Sequence, residues 1–109
     1  MDTFDKLKKN GFSLNEDEIK EICEKYNIIE LSVFGSSLRD DFNDSSDVDL
    51  LVSFSKNAKI SLFDIIDLEY DLSKLMNNRE VQVIEEDELK YPLRRASILS
   101  SKEIIYVAQ

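Results

Sequence analysis

Histidine is absent from this 109-residue chain, which removes Ser-His-Asp and Cys-His catalysis and the usual zinc sites. One cysteine, Cys23, excludes an internal disulfide. It stands in register with Ile19, Ile22 and Tyr26 and reads as core packing. Only two glycines occur, Gly11 and Gly35, so neither a Walker loop nor a dinucleotide fingerprint can form. No apolar run approaches the roughly 18 residues of a membrane span. The opening MDTFDKLKKN has no apolar signal core, so the expected location is the cytoplasm. A basic stripe is also missing: 14 Lys and Arg stand against 23 Asp and Glu, a net charge of −9. Such a chain is a poor nucleic-acid binder, and its surplus of acid suits a basic protein partner instead.

What is present fits one domain over 1–109, burying on the order of two-thirds of its unfolded surface, with 42% hydrophobic residues to build a core. Residues 1–27 read as N-terminal helices. Residues 28–54 read as strand, turn, loop and strand, and 61–109 as helix, third strand and C-terminal helix. Repeats, low-complexity segments and linkers are lacking.

The central stretch runs from Leu31 to Phe54, LSVFGSSLRDDFNDSSDVDLLVSF. Val48, Leu50, Val52 and Phe54 alternate with Asp47, Asp49, Leu51 and Ser53, so the two aspartates point the same way at the start of a strand. Two carboxylates so placed repel by about 4 kcal/mol at a separation of ~4 Å and an effective dielectric of ~20. A cation between them relieves this, and oxygen-only ligands favour magnesium. Before them, Leu31 and Val33 alternate into a strand ending at Gly35-Ser36. Glycine permits positive φ and close ligand approach, and the Ser36 hydroxyl with neighbouring amides can face an anion. Alone, Gly-Ser is a turn and Asp-x-Asp a solvated strand start or a helix cap. Together, each beside an apolar strand, they describe a nucleotidyl-transfer site with phosphates on one side and a metal on the other. Between them, Arg39 is the loop's one cation; nucleotide phosphates and the neighbouring Asp40, Asp41 and Asp44 are equal candidates for its partner.

Along the rest of the chain, Thr3 to Asn10 predicts a short helix with Phe4 and Leu7 on one face and Gly11 as its stop. Asn15 caps a second helix whose first turn carries Glu16, Asp17 and Glu18, with Ile19, Ile22, Cys23 and Tyr26 inward. Ser61 caps a helix to about Met76, with Leu62, Ile65, Ile66, Leu68, Leu72 and Leu75 facing the sheet and Asn77-Asn78 ending it. Glu80 to Ile84 predicts a third strand, with Val81 and Val83 on one face and Glu80, Gln82 and Ile84 on the other. The strand–helix–strand unit is a crossover of the right-handed kind. Pro92 opens a last helix with Leu93, Ala96 and Leu99 inward; Arg94 and Arg95 read as a solvated face. Glu103 to Val107 alternates weakly, as an edge strand or a frayed end.

Gly35-Ser36, ten residues, then Asp47-x-Asp49 resembles the signature of the polymerase-beta-like nucleotidyltransferase superfamily. The wording around it is similar to the superfamily's smallest branch, the minimal nucleotidyltransferase (MNT) antitoxins. The resemblance implies an α/β fold: a small mixed sheet, with strands near 29–34, 47–54 and 80–84, covered by helices. It implies nucleotide binding at Gly35, Ser36, Ser37 and Arg39, with Mg²⁺ and ATP held through Asp47 and Asp49. In the superfamily a third carboxylate on a neighbouring strand helps hold a second metal and activates the attacking hydroxyl. In MNT proteins it stands in a VDL-like triplet, which here is Val81-Gln82-Val83. Gln82 offers a carbonyl oxygen but cannot take a proton. Glu80, on the same strand face, is the candidate substitute, whereas Glu85 falls on the opposite face.

The function implied is an MNT-type antitoxin that transfers AMP from ATP to a tyrosine of a HEPN-type ribonuclease toxin encoded nearby and so neutralises it. One rival, favoured by Gln82, is a catalytically weakened antitoxin acting by binding and occlusion. The other is a nucleotidyltransferase for a small hydroxyl compound, which asks for an acceptor pocket that 109 residues hardly leave room to build.

Overall fold

The computed structural model describes residues 3–9, 11–12, 14–35 and 47–108. In chain order the elements are α1 (Thr3–Lys9), α2 (Glu16–Lys25), β1 (Ile28–Phe34), β2 (Val48–Phe54), α3 (Leu62–Leu75), β3 (Val81–Glu85), a single 3₁₀ turn at Glu86–Glu88, α4 (Pro92–Ser101) and β4 (Glu103–Val107). The strands form one mixed sheet in the order β3-β2-β1-β4. β1 is antiparallel to both β2 and β4, while β2 and β3 run parallel across the α3 crossover. This is the α/β fold, a small mixed sheet covered by helices, that the resemblance implies.

Local chemistry sets the boundaries. The Asn15 side chain accepts from the amides of Asp17 (2.8 Å) and Glu18 (3.2 Å) at the head of α2. Ser61 and Asp64 form a reciprocal capping box on α3. Asn27, Asn77 and Asn78 adopt φ of 58°, 58° and 61°, a left-handed conformation that asparagine tolerates better than most residues, so each helix stops where expected.

The sheet is packed on both faces. Val48, Leu50 and Val52 join Leu31, Val33 and Val81 under Leu7, Phe12, Ile19, Cys23, Tyr26, Leu68, Leu72 and Met76 from the first three helices and their connections. On the other face Leu51 and Phe34 meet Leu89 and Ile98, with Ile84 and Leu99 alongside. α2 and α3 are pinned to each other by Asp71, which accepts from the Tyr26 hydroxyl at 2.6 Å and from Lys25 Nζ at 3.1 Å.

Of the two alternatives for Glu103–Val107 the edge strand holds: it pairs with β1, and a bulge at Ile105 turns both Ile105 and Tyr106 towards the core. Other expectations need correction. Leu62 and Ile66 do not face the sheet: they are 73% and 53% exposed. At about 100° per residue, a helix that buries Leu68 and Leu72 carries Leu62 and Ile66 roughly 80–160° around the axis from them. Leu93 and Ala96 are exposed as well; α4 is seated through Ile98 and, in part, the predicted Leu99. Phe4 has a side chain outside the described residues.

The hydrogen bond from Tyr26 is the first of several causes that lower the Asp71 pKa. A carboxyl with a lowered folded pKa contributes stability above its unfolded value and loses it as pH falls through the folded one. Tyr26→Phe should therefore cost about 1 kcal/mol at neutral pH, and the deficit should shrink as pH drops below 4. Urea unfolding of both proteins across that range checks it.

Candidate functional site

β2 occupies the middle of the sheet and starts at Val48, directly after Asp47. Its register places Asp49 between two neighbours, Phe34 on β1 and Gln82 on β3. One row back, Val48 lies opposite Val81, and the Val48 amide donates to the Glu80 carbonyl at 3.0 Å, which brings Asp47 level with Glu80. The ends of β1, β2 and β3 thus gather Gly35, Asp47, Asp49 and Gln82 at one end of the sheet.

Gly35 is required there twice over. Its φ is 76°, and a Cβ at that position would come within 2.8 Å of Asp49 Oδ2. The Asp49 carboxylate lies against the glycine, in space that any other residue would occupy. The conformational reason for glycine is legible in the sequence; the contact with Asp49 is not.

Asp47 is exposed and Asp49 half-buried. Burial, then the neighbouring Asp47 charge, raise the Asp49 pKa, and the Arg94 guanidinium opposes them. Proximity of the two carboxylates is thus an electrostatic cost, as the spacing predicts. An oxygen-only donor set of Asp47, Asp49 and the Gln82 amide oxygen fits a hard divalent cation.

Glu80 is exposed at the head of β3. Among the described residues no group of three or more His, Cys, Asp or Glu side chains is arranged to hold a metal ion. Gln82, also exposed, stands beside Asp49 across the parallel ladder. Ser36, Ser37 and Arg39 lie outside the described residues. Arg94, read from sequence as a solvated face, acts electrostatically on Asp49. Its neighbour Arg95 is structural, with Nη1 donating to the Glu86 carbonyl at 2.9 Å and Nη2 lying 3.7 Å from the Glu86 carboxylate.

A cleft of about 760 Å³ opens at the far end of β1, lined by residues that include Lys20, Cys23, Ser55 and Tyr106. It holds none of the site residues. Its thiol is inert, since burial pushes the Cys23 pKa up to about 12.

Residues 16–105 match the nucleotidyltransferase domain family. The protein adenylyltransferase MntA of Thermococcus cleftensis is 34% identical over 88 residues, covering 81% of this chain and 83% of that protein. A solved structure provisionally described as a minimal nucleotidyltransferase is 26% identical, with a TM-score of 0.66 and 94% of each chain covered. The fold is shared, at 13% identity and a TM-score of 0.60, with a complex of a tri-AMPylated Shewanella oneidensis HEPN toxin and an MNT antitoxin, over 94% of this chain and 74% of that one.

The crowding of Asp49 has a measurable sign. Its folded pKa is raised, so the fold is favoured most below the unfolded pKa and loses that margin as pH rises through the folded one. At neutral pH the ionised carboxylate is a net cost. Asp49→Asn should raise the melting temperature at pH 7, the gain should vanish near pH 3, and nucleotidyl transfer should be lost. Calorimetric melting at the two pH values tests the first two together.

Proposed function

The chain belongs to the nucleotidyltransferase domain family, and from that premise we propose that it is an MNT-type antitoxin that transfers AMP from ATP to a tyrosine of a HEPN-type ribonuclease toxin. The observation that carries the nucleotide chemistry is the Asp49 carboxylate seated against Gly35, beside Asp47, where three strand ends converge. In the reaction the tyrosine oxygen bonds to the α-phosphorus, the bond from that phosphorus to the β-bridging oxygen breaks, and pyrophosphate leaves with the electron pair. Mg²⁺ held by Asp47 and Asp49 would supply charge neutralisation on the phosphates. Gln82 cannot accept the tyrosine proton, which passes to water. Absence of a positioned base typically costs about 10²–10⁴ in rate, so the expected enzyme is slow.

A protein acceptor is favoured by the surface. Leu62, Phe63, Ile66 and Tyr70 are 73%, 78%, 53% and 62% exposed and share an arc of about 100° on α3. Apolar surface of this kind is uncommon on a helix with no partner. The helix itself carries Asp64, Asp67, Glu69 and Asp71 against Lys74, and the chain is at −9. A second copy would set acid against acid, whereas a basic toxin would complement it. Binding and occlusion without transfer is the second reading, and neutral Gln82 beside Asp49 is the feature that favours it.

Co-expression with a HEPN-type toxin, followed by intact mass spectrometry of that toxin, separates the two. Transfer predicts an AMP-sized increase on a tyrosine peptide, larger in yield with Gln82→Asp and unaffected by Glu80→Gln. A silenced toxin of unaltered mass would establish occlusion. Replacing both Leu62 and Ile66 by Ser should leave stability within about 0.5 kcal/mol for each site, as expected of exposed positions, yet weaken the complex. Pull-down and melting of that double variant check both halves.

A further inference from the structure

β3 is an edge strand of the sheet, joined to β2 on one side only. Its backbone groups alternate in direction, and the Glu80 carbonyl accepts from the Val48 amide. Glu80, Gln82 and Ile84 therefore turn their backbone groups towards β2, while the Arg79 carbonyl and the Val83 amide face away from it. Groups so placed on an edge look to solvent unless another element reaches them.

α3 reaches both. Glu69 Oε2 accepts from the Val83 amide at 2.9 Å, and the Ser73 hydroxyl donates to the Arg79 carbonyl at 2.6 Å. Glu69 and Ser73 lie one turn apart on the helix, about 40° around its axis. Each follows a residue buried in the core, Leu68 or Leu72, so packing fixes their places over β3. Helix and strand run in opposite directions, and the earlier helical residue holds the later strand residue. Between the two held positions lie Glu80, Val81 and Gln82. The peptide unit whose N–H Glu69 engages is the one that joins Gln82 to Val83. Gln82 is exposed and stands opposite Asp49 in the ladder, so its side chain takes its direction from that backbone.

We propose that Glu69 and Ser73 are positioning residues of the nucleotidyl-transfer site, a clamp from α3 that aims Gln82 so that its amide oxygen joins the two aspartates around a divalent cation. Both act through β3, from the edge that faces away from Asp49. The inference rests on the reading of Asp47, Asp49 and Gln82 as one donor set, and the two can fail separately.

Mn²⁺ stands in for Mg²⁺ in the test, because its unpaired electrons broaden the magnetic resonances of nearby groups. It is titrated into the wild type, Glu69→Ala, Glu69→Gln and Ser73→Ala, with amide exchange and melting recorded for each protein. In the wild type the Asp49 amide and the Gln82 side-chain amide should broaden together. Glu69→Ala should keep the broadening at Asp49, reduce it at Gln82 and speed exchange of the Val83 amide about tenfold. Glu69→Gln keeps an acceptor oxygen and should return both readings towards wild type. Ser73→Ala removes a single hydroxyl and should also lower the Gln82 response; it decides alone where Glu69→Ala does not fold. Unchanged Gln82 broadening in the alanine variants would overturn the inference. So would an equal loss at Asp49 and Gln82, which would make the clamp a support for the sheet as a whole. A wild type in which Mn²⁺ broadens neither group would overturn the donor set itself, and the inference with it.

Discussion

Everything at this site depends on a half-buried carboxylate set against a glycine. Asp49 has the Gly35 backbone beneath it, Asp47 two residues before it, and strands on either side. Burial and like charge both oppose its ionised form. A flexible segment would relieve that crowding by swinging the side chain into water. β2 cannot, because Val48, Leu50 and Val52 are buried on one face and Leu51 on the other. The strand is fixed by its packing, and the crowding of Asp49 is fixed with it. That is the usual relation between a stable frame and a strained functional group.

Gln82 takes on a second meaning in this light. It stands directly across the parallel ladder from Asp49, where same-face neighbours lie about 5 Å apart. A carboxylate there would add a third negative charge to a pair already in conflict. An amide removes that repulsion and still offers an oxygen. A glutamine at this position thus forgoes proton-accepting capacity and avoids that repulsion, and both consequences come from its neutrality.

Much of this was legible because it is short-ranged or periodic. The alternation around Asp47 and Asp49, the Asn15 and Ser61 caps and the asparagine stops are all local. So is the facing of Val81 and Val83 towards the core, with Gln82 and Ile84 opposite. What escaped depends on the phase of a helix against a sheet. Six apolar residues of α3 can be sorted onto one broad stripe, yet the sheet selects Leu68 and Leu72 and leaves Leu62 and Ile66 in water. On α4 the same ambiguity hid Ile98. The contact between Gly35 and Asp49 escaped because it joins two strands through a register that no local pattern states. Glu103–Val107 was ambiguous because its alternation is interrupted by a bulge, which sequence alternation cannot distinguish from a frayed end.

The mixed character of the sheet explains why the site lies at this end and not the other. Parallel pairing sets the first residues of β2 and β3 side by side, so Asp47 and Asp49 meet Glu80 and Gln82 at a common edge. A tight hairpin could not do this; it would place the start of one strand beside the end of the other. The crossover through the 14-residue α3 is therefore what makes position 82 a neighbour of position 49. Antiparallel β1 contributes the opposite polarity, delivering its last residue and Gly35 to the same edge. Two strand starts supply side-chain oxygens, and one strand end supplies a turn with room for them. Only a sheet containing both kinds of pairing brings those three together. The same α3 that enforces the parallel pair turns its unburied apolar stripe outward, so the element that brings position 82 beside position 49 also carries Leu62, Phe63, Ile66 and Tyr70 at the surface.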